Sequence, residues 1–318
     1  ADYPNALIAA RKDSPLIIGC GENENFIASD VTAVISHTRD VIYMEDGEIA
    51  VLTAEGVNLF NDEMDPIDKP HSHIDWDVSA AEKGGYPHFM LKEINEQPAA
   101  ITATVSPRVE NGLPELRIPE LTDEKLRSIG TVHLVGCGTA MHAGMVGKTA
   151  IEALARVPAQ VDIASEFRYR DPILKPEDLV IIISQSGETS DTLAALKLAK
   201  SRGVPVLAIV NVVGSSIARA ADYVMYTYAG PEIAVASTKA YMVQLCVLYL
   251  FALYAAKSLG TVEGKEYKRL LTALRSLPKQ MQTALDMNPA IPALAKKYHG
   301  SPSMFSVSYT HLTLPTNS

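Results

Sequence analysis

Four hydroxyl residues fall within the seven positions 184–190, which read Ser184-Gln185-Ser186-Gly187-Glu188-Thr189-Ser190. They follow the apolar run 179–183 and lead straight into a helical stretch opening at Asp191. A serine or threonine hydroxyl both donates and accepts, so a cluster of them can wrap a group that carries several oxygens. A helix start adds unpaired N–H groups and about half a unit of positive charge, which stabilises an anion without a lysine. Gly187 lets the backbone approach such a group closely. A phosphate suits this combination. The plainer reading, a helix cap and a turn, needs one hydroxyl and leaves the rest of the cluster unexplained.

Two other loops compete for attention. Gly136-Cys137-Gly138-Thr139 follows a second apolar run and also opens a helix. Gly136 and Gly138 have the G-x-G spacing of a dinucleotide fingerprint, and Asp162 ends the next strand as a ribose-binding acid would. Met141 stands where the third glycine belongs, which keeps that reading weak. No G-x-x-x-x-G-K-[ST] occurs. Ser184 or Ser186 as a nucleophile would need a histidine, but His133 lies within a strand and His142 a turn into a helix. The third loop, 232–239, precedes a long apolar helix and offers Ser237 or Thr238 as an N-cap. Lys239 at that helix start opposes the helix dipole. It either reaches an anion or an acidic partner, or carries its charge out to solvent. His71-Ser72-His73 lacks a third ligand at useful spacing and reads as a solvated turn, so no metal site is expected there.

These loops need a frame that holds them together. From residue 131 onward, runs of four or five largely apolar residues alternate with helical stretches, at 131–135, 160–163, 179–183, 206–210 and 224–227. That pattern predicts an α/β fold, a doubly wound parallel sheet with helices on both faces. Ligands of such a sheet bind beyond the carboxyl ends of its strands, where strand order reverses. Residues 1–60 read instead as short strands and turns, including apolar runs at 15–19, 31–35, 41–43 and 49–52. Residues 61–120 read as a connection with one helix over 87–97, stopping before Pro98. A further helix is predicted over 263–285.

Net charge is −9 over 318 residues, without a basic stripe. This excludes nucleic acid and anionic membrane as natural partners. The 3 cysteines, Cys20, Cys137 and Cys246, are far apart and form neither a disulfide framework nor a zinc spacing. The stretch 240–256 is apolar apart from Gln244. At seventeen residues it is at the short limit for a membrane span, and a helix buried on all sides is the better expectation. The chain opens without a basic or an apolar leader, and a cytoplasmic location is expected.

The segment 184–192 resembles the phosphosugar loop of SIS (sugar isomerase) domains. Cys137-Gly138-Thr139, the segment 163–170, Asn211 with Gly214-Ser215-Ser216, and the segment 235–240 agree with it. Upstream, 24–30 and 89–98 also agree, and the whole set resembles the isomerising glutamine–fructose-6-phosphate aminotransferase family from about residue 5 to residue 300. The resemblance implies a flavodoxin-like SIS fold preceded by the β-rich end of a glutaminase-type domain. It also implies amino transfer from glutamine to fructose 6-phosphate, giving glucosamine 6-phosphate and glutamate, with no cofactor. Carried over by position, the sugar phosphate is held by Cys137, Gly138, Thr139, Ser184, Gln185, Ser186 and Thr189, with backbone help from Val235 and Ser237. Ala140 stands where serine is common in the family, removing one donor. None of the family's catalytic residues falls in this segment, and the segment alone is expected to bind without turnover. The division implied is a glutamine amidotransferase remnant (1–76), a linker (77–120), the first SIS domain (121–262), a helical connection and the start of a second SIS domain (263–305), and a non-native tail (306–318). Dimerisation through the SIS domains is expected. A non-catalytic phosphosugar-sensing module is the alternative.

Overall fold

The computed structural model describes residues 4–12, 14–29, 31–74, 83–109, 116, 118–287 and 291–302. Short alternating strands open the chain: β1 (Leu7–Ala10), β2 (Ile17–Cys20), β3 (Asn25–Ala28), β4 (Asp40–Tyr43), β5 (Ile49–Leu52), β6 (Val57–Phe60), β7 (Pro66–Ile67) and β8 (Ser72–His73). They pair antiparallel into two sheets, in the orders β1-β5-β6-β7 and β3-β2-β4-β8. Successive side chains of a strand point to opposite faces. Ile18 and Ile42 accordingly join Ala9, Ala50, Leu52 and Leu59 between the sheets. Their neighbours Ile17 and Val41 meet Val34 and Ile35 on the other face. The apolar run 31–35 is a correction to the sequence reading: Val31–Ala33 forms a 3-10 turn rather than a strand. Val31, Val34 and Ile35 are all buried, a spacing of three and four that suits a helical turn and not an extended chain.

Helix α1 (Phe89–Val105) runs through Pro98, where the sequence predicts a stop. Proline removes the N–H that would bond the carbonyl four residues back, that of Ile94. Here the Gln97 side-chain amide donates to the Ile94 carbonyl at 2.9 Å and fills the vacancy. The helix therefore continues. After α2 (Asp123–Ser128) come β9 (Val132–Gly136), α3 (Thr139–Ala150), a π turn (Ile151–Ala155), β10 (Ala159–Ile163), α4 (Ala164–Tyr169), β11 (Leu179–Ser184), α5 (Ser190–Ser201), β12 (Val206–Val210), α6 (Ser216–Ala220), β13 (Tyr223–Tyr226) and α7 (Lys239–Leu259).

The five strands β9 to β13 form a parallel sheet in the order β10-β9-β11-β12-β13. Alternation again divides its residues. Leu134, Ile181, Ile183, Leu207 and Ile209 pack with residues of α3 and α7 on one face. Val135, Val180, Ile182, Val206 and Ala208 pack with residues of α4, α5 and α6 on the other. Each fully buried side chain of this size contributes roughly 1.5–3 kcal/mol, so this double burial outweighs any surface ion pair. The doubly wound fold is thus as the sequence predicts. Strand order reverses between β9 and β11, which are adjacent with Gly136 opposite Ile183.

Helix α7 has the length and apolar composition of a membrane span, but two thirds (67%) of its most apolar window is buried within the protein. It packs against α1, α2 and α3. Burial pushes the thiol of its Cys246 up to about 12. Helix α8 (Gly264–Asp286) buries Tyr267, Leu271 and Leu274 along one stripe. The chain divides into two units, Ala1–Pro278 and Lys279–Ser318. Within the second, α9 (Ile291–Tyr298) has no buried residue. The tail 306–318 lies outside the described residues.

Candidate functional site

A cavity of about 220 Å³ opens at the carboxyl ends of β9 and β11, the point of strand reversal. Of the residues singled out by sequence, Cys137, Thr139, Ser184, Gln185, Ser186, Thr189, Val235 and Ser237 line it. Gly138 does not line it but sets the turn between two residues that do, with φ +56° at the N-cap of α3. Among the described residues, no lysine, arginine or histidine lines it. His133 is buried, with Nε2 3.5 Å from Asp178 Oδ2, and His142 is exposed on α3. The nucleophile reading of Ser184 and Ser186 therefore has no histidine to support it.

The hydroxyl loop is built so that its side-chain oxygens line the cavity. Ser184 is the last residue of β11 and is 4% exposed. Its Oγ accepts the Gly187 N–H at 3.0 Å. Ser186 Oγ accepts the Glu188 N–H at 3.2 Å. A hydroxyl whose lone pair already accepts keeps its proton to donate. Thr189 occupies the N-cap position of α5, yet its side chain makes no capping bond. Its Oγ1 lies 3.4 Å from Ser184 Oγ instead. Capping therefore does not account for this hydroxyl. The first-turn N–H groups of Ser190, Asp191 and Thr192 have no acceptor among the described residues, as expected at a helix start.

Gly187 makes the turn possible. Its φ is +70°, and a Cβ there would sit 2.1 Å from Ser215 Oγ. Glu188 faces away and accepts the Ser216 N–H at 2.7 Å, capping α6. Thr192, one turn into α5, donates to Cys137 Sγ at 3.7 Å and ties the two loops together. Asp162, the ribose-binding candidate, is paired with Arg170 at 2.7 Å.

The third loop corrects the capping expected there. Neither Ser237 nor Thr238 caps α7 with its side chain. Glu232 does so, accepting the N–H of Thr238 at 2.8 Å and of Ala240 at 3.1 Å. A carboxylate is the stronger acceptor at a helix N-terminus because it also meets the dipole. Ser237 Oγ donates to the same carboxylate at 2.8 Å, so any bond that Ser237 donates to a phosphate falls to its backbone. Glu93 on α1 holds the loop from below, accepting the N–H of Ile233 at 2.7 Å and of Ala234 at 3.0 Å. Lys239 reaches an acidic partner, Glu96, at 2.6 Å and is 5% exposed.

Sequence reasoning missed Glu232, Ala234, Thr192 and Gln244 as lining residues. Two carried a signal: Thr192 as the end of the segment 184–192, and Gln244 as the one polar residue in the apolar stretch 240–256. Gln244 is 3% exposed, and its Oε1 is buried without a hydrogen-bond partner. Leaving such a buried amide oxygen unpaired costs on the order of 1–3 kcal/mol.

With this geometry in hand, the family description "SIS domain" matches residues 125–254. Residues 125–254 form a SIS domain. The chain is 51% identical over 303 residues to the glutamine–fructose-6-phosphate aminotransferase [isomerizing] of Clostridium acetobutylicum, covering 95% of this chain and 50% of that protein. It is 46% identical over 317 residues to the protein of the same name in Methanosarcina acetivorans, covering 99% and 51% respectively. The chain thus spans about half the length of the curated relatives it matches. Among solved structures, it resembles the C-terminal domain of glucosamine-fructose-6-phosphate aminotransferase from Francisella tularensis. That match has a TM-score of 0.65 at 38% identity, over 68% of this chain and 61% of that one.

Proposed function

We propose that the SIS cavity holds the phosphate of a hexose phosphate, as the sugar site of a glutamine–fructose-6-phosphate aminotransferase (isomerising). The supporting observation is the hydroxyl loop. Ser184 and Ser186 take backbone N–H groups on their lone pairs, Ser184 and Thr189 share one hydrogen bond so that one proton of that pair stays available, and Thr189 forgoes the cap. Together with the first turn of α5 they form a donor-rich seat for a multi-oxygen anion. Cys137, Gly138, Thr139 and Gln185 complete the seat, and the backbone of Val235 and Ser237 closes it. The parent reaction converts fructose 6-phosphate and glutamine to glucosamine 6-phosphate and glutamate. In this reading residues 1–76 correspond to the end of a glutamine amidotransferase domain, 77–120 to a linker, 121–262 to the first SIS domain and 263–305 to the connection toward a second. The protein works in the cytoplasm as a homodimer through its SIS domains.

Within this cavity the role is to hold and not to react. Its one lining carboxylate, Glu232, is occupied by three donors. Calorimetric titration with fructose 6-phosphate tests the seat. Ser186→Ala and Thr189→Ala should each weaken binding by roughly 1.5–3 kcal/mol, the worth of a hydrogen bond to a charged group. Unchanged affinity in both variants would reduce the cluster to a turn.

A further inference from the structure

Gln244 is the polar side chain of the cavity wall that nothing in the protein explains. It sits on α7, four residues after Ala240 and so on the same face, below the third loop. Its neighbours along the helix, Val243, Cys246, Val247 and Leu248, are buried apolar residues, and an apolar side chain at 244 would pack with them. Instead an amide is kept there with its oxygen unpaired and its side chain lining the cavity. No described residue supplies its partner, so the geometry assigns that partner to the ligand.

The chemistry of an amide says which part of the ligand. A phosphate dianion only accepts, and the donors that suit it are gathered at the hydroxyl loop and the start of α5. An amide presents both an acceptor and a donor, and whichever way its ends are placed it matches a hydroxyl. We propose that Gln244 is a specificity-determining contact: its side-chain amide hydrogen-bonds a hydroxyl on the carbon chain of the bound sugar phosphate. This rests on the phosphosugar reading of the cavity. Gln244 distinguishes a sugar phosphate from a bare phosphate, while Ser184, Ser186 and Thr189 distinguish a phosphate from everything else.

The test uses the full chain, the variant Gln244→Met and two probes, fructose 6-phosphate and inorganic phosphate, titrated by calorimetry. Methionine keeps the length of the side chain and removes the amide. The expected result is about a tenfold loss for fructose 6-phosphate, with inorganic phosphate unchanged within about twofold and thermal stability held or raised. Unchanged affinity for both probes overturns the proposal and leaves Gln244 a packing residue. An equal loss for both also overturns it, because the variant has then damaged the seat and not one contact. A wild-type chain that binds neither probe removes the phosphosugar reading itself, and this proposal with it. Should Gln244→Met fail to fold, deoxy analogues of fructose 6-phosphate titrated against the wild-type chain decide. Deleting one chain hydroxyl must cost about tenfold, and uniform affinity across the analogues sinks the assignment.

Discussion

At the scale of single residues, the cavity shows that a hydroxyl's availability depends on what its lone pairs already do. Ser184, Ser186 and Ser237 have the same side chain and line the same wall. Ser186 accepts an N–H and keeps its proton, Ser184 shares one hydrogen bond with Thr189, and Ser237 has spent its proton on Glu232. Ala140 lines the wall with no donor and is 7% exposed. Ala140→Ser should therefore add one hydrogen bond and tighten fructose 6-phosphate binding by about 0.5–1 kcal/mol, readable in the same titration. No gain would mean that the new hydroxyl turns away to the α3 backbone. The hydroxyl cluster was legible in the sequence because its residues are consecutive. Glu232 was not, because a carboxylate seven residues ahead of the first residue of the helix it caps follows no local spacing rule. Gln244 was visible as an exception to an apolar run, but the sequence held no sign that a cavity lay against it.

At the scale of elements, the parallel strands were legible almost to the residue, since a strand buried on both faces writes itself as an unbroken apolar run. Helix α1 was not, because the usual rule for proline holds only when the orphaned carbonyl stays orphaned. Gln97 sits one residue before Pro98 and returns the missing donor from its side chain. Gln97→Ala should therefore destabilise the chain by about 1–2 kcal/mol, measured by urea unfolding. Replacing Pro98 with alanine in the same variant restores the backbone N–H and should recover most of the loss. If the double variant is no more stable than Gln97→Ala, the side chain has some other function. The helix has reason to continue past Pro98, since its Glu93 and Glu96 anchor the third loop and Lys239. A helix ending at residue 97 would lose the packing of Ala100, Ile101 and Val105, all buried, that fixes those two acids in place.

At the scale of the whole molecule, a chain of net charge −9 is proposed to bind a dianion in a cavity whose lining residues include no basic side chain. Such a site works by dipoles and hydroxyls at contact range, which salt screens little. Affinity for fructose 6-phosphate should change by less than about threefold between about 0.05 and about 0.5 M sodium chloride. A steep fall across that range would point to a lysine or arginine acting on the ligand from beyond the lining. Helix α7 carries a different consequence. On its own it has the length and apolar composition to enter a bilayer, and α1, α2 and α3 are among the elements that cover it. All three precede it in the chain, ending at Val105, Ser128 and Ala150. A ribosome therefore releases the covering helices before the one that needs cover, and the nascent chain can shelter α7 as it emerges. A chain refolding from denaturant has no such order of arrival, and there the same helix is the segment most exposed to sticking to its copies in other chains.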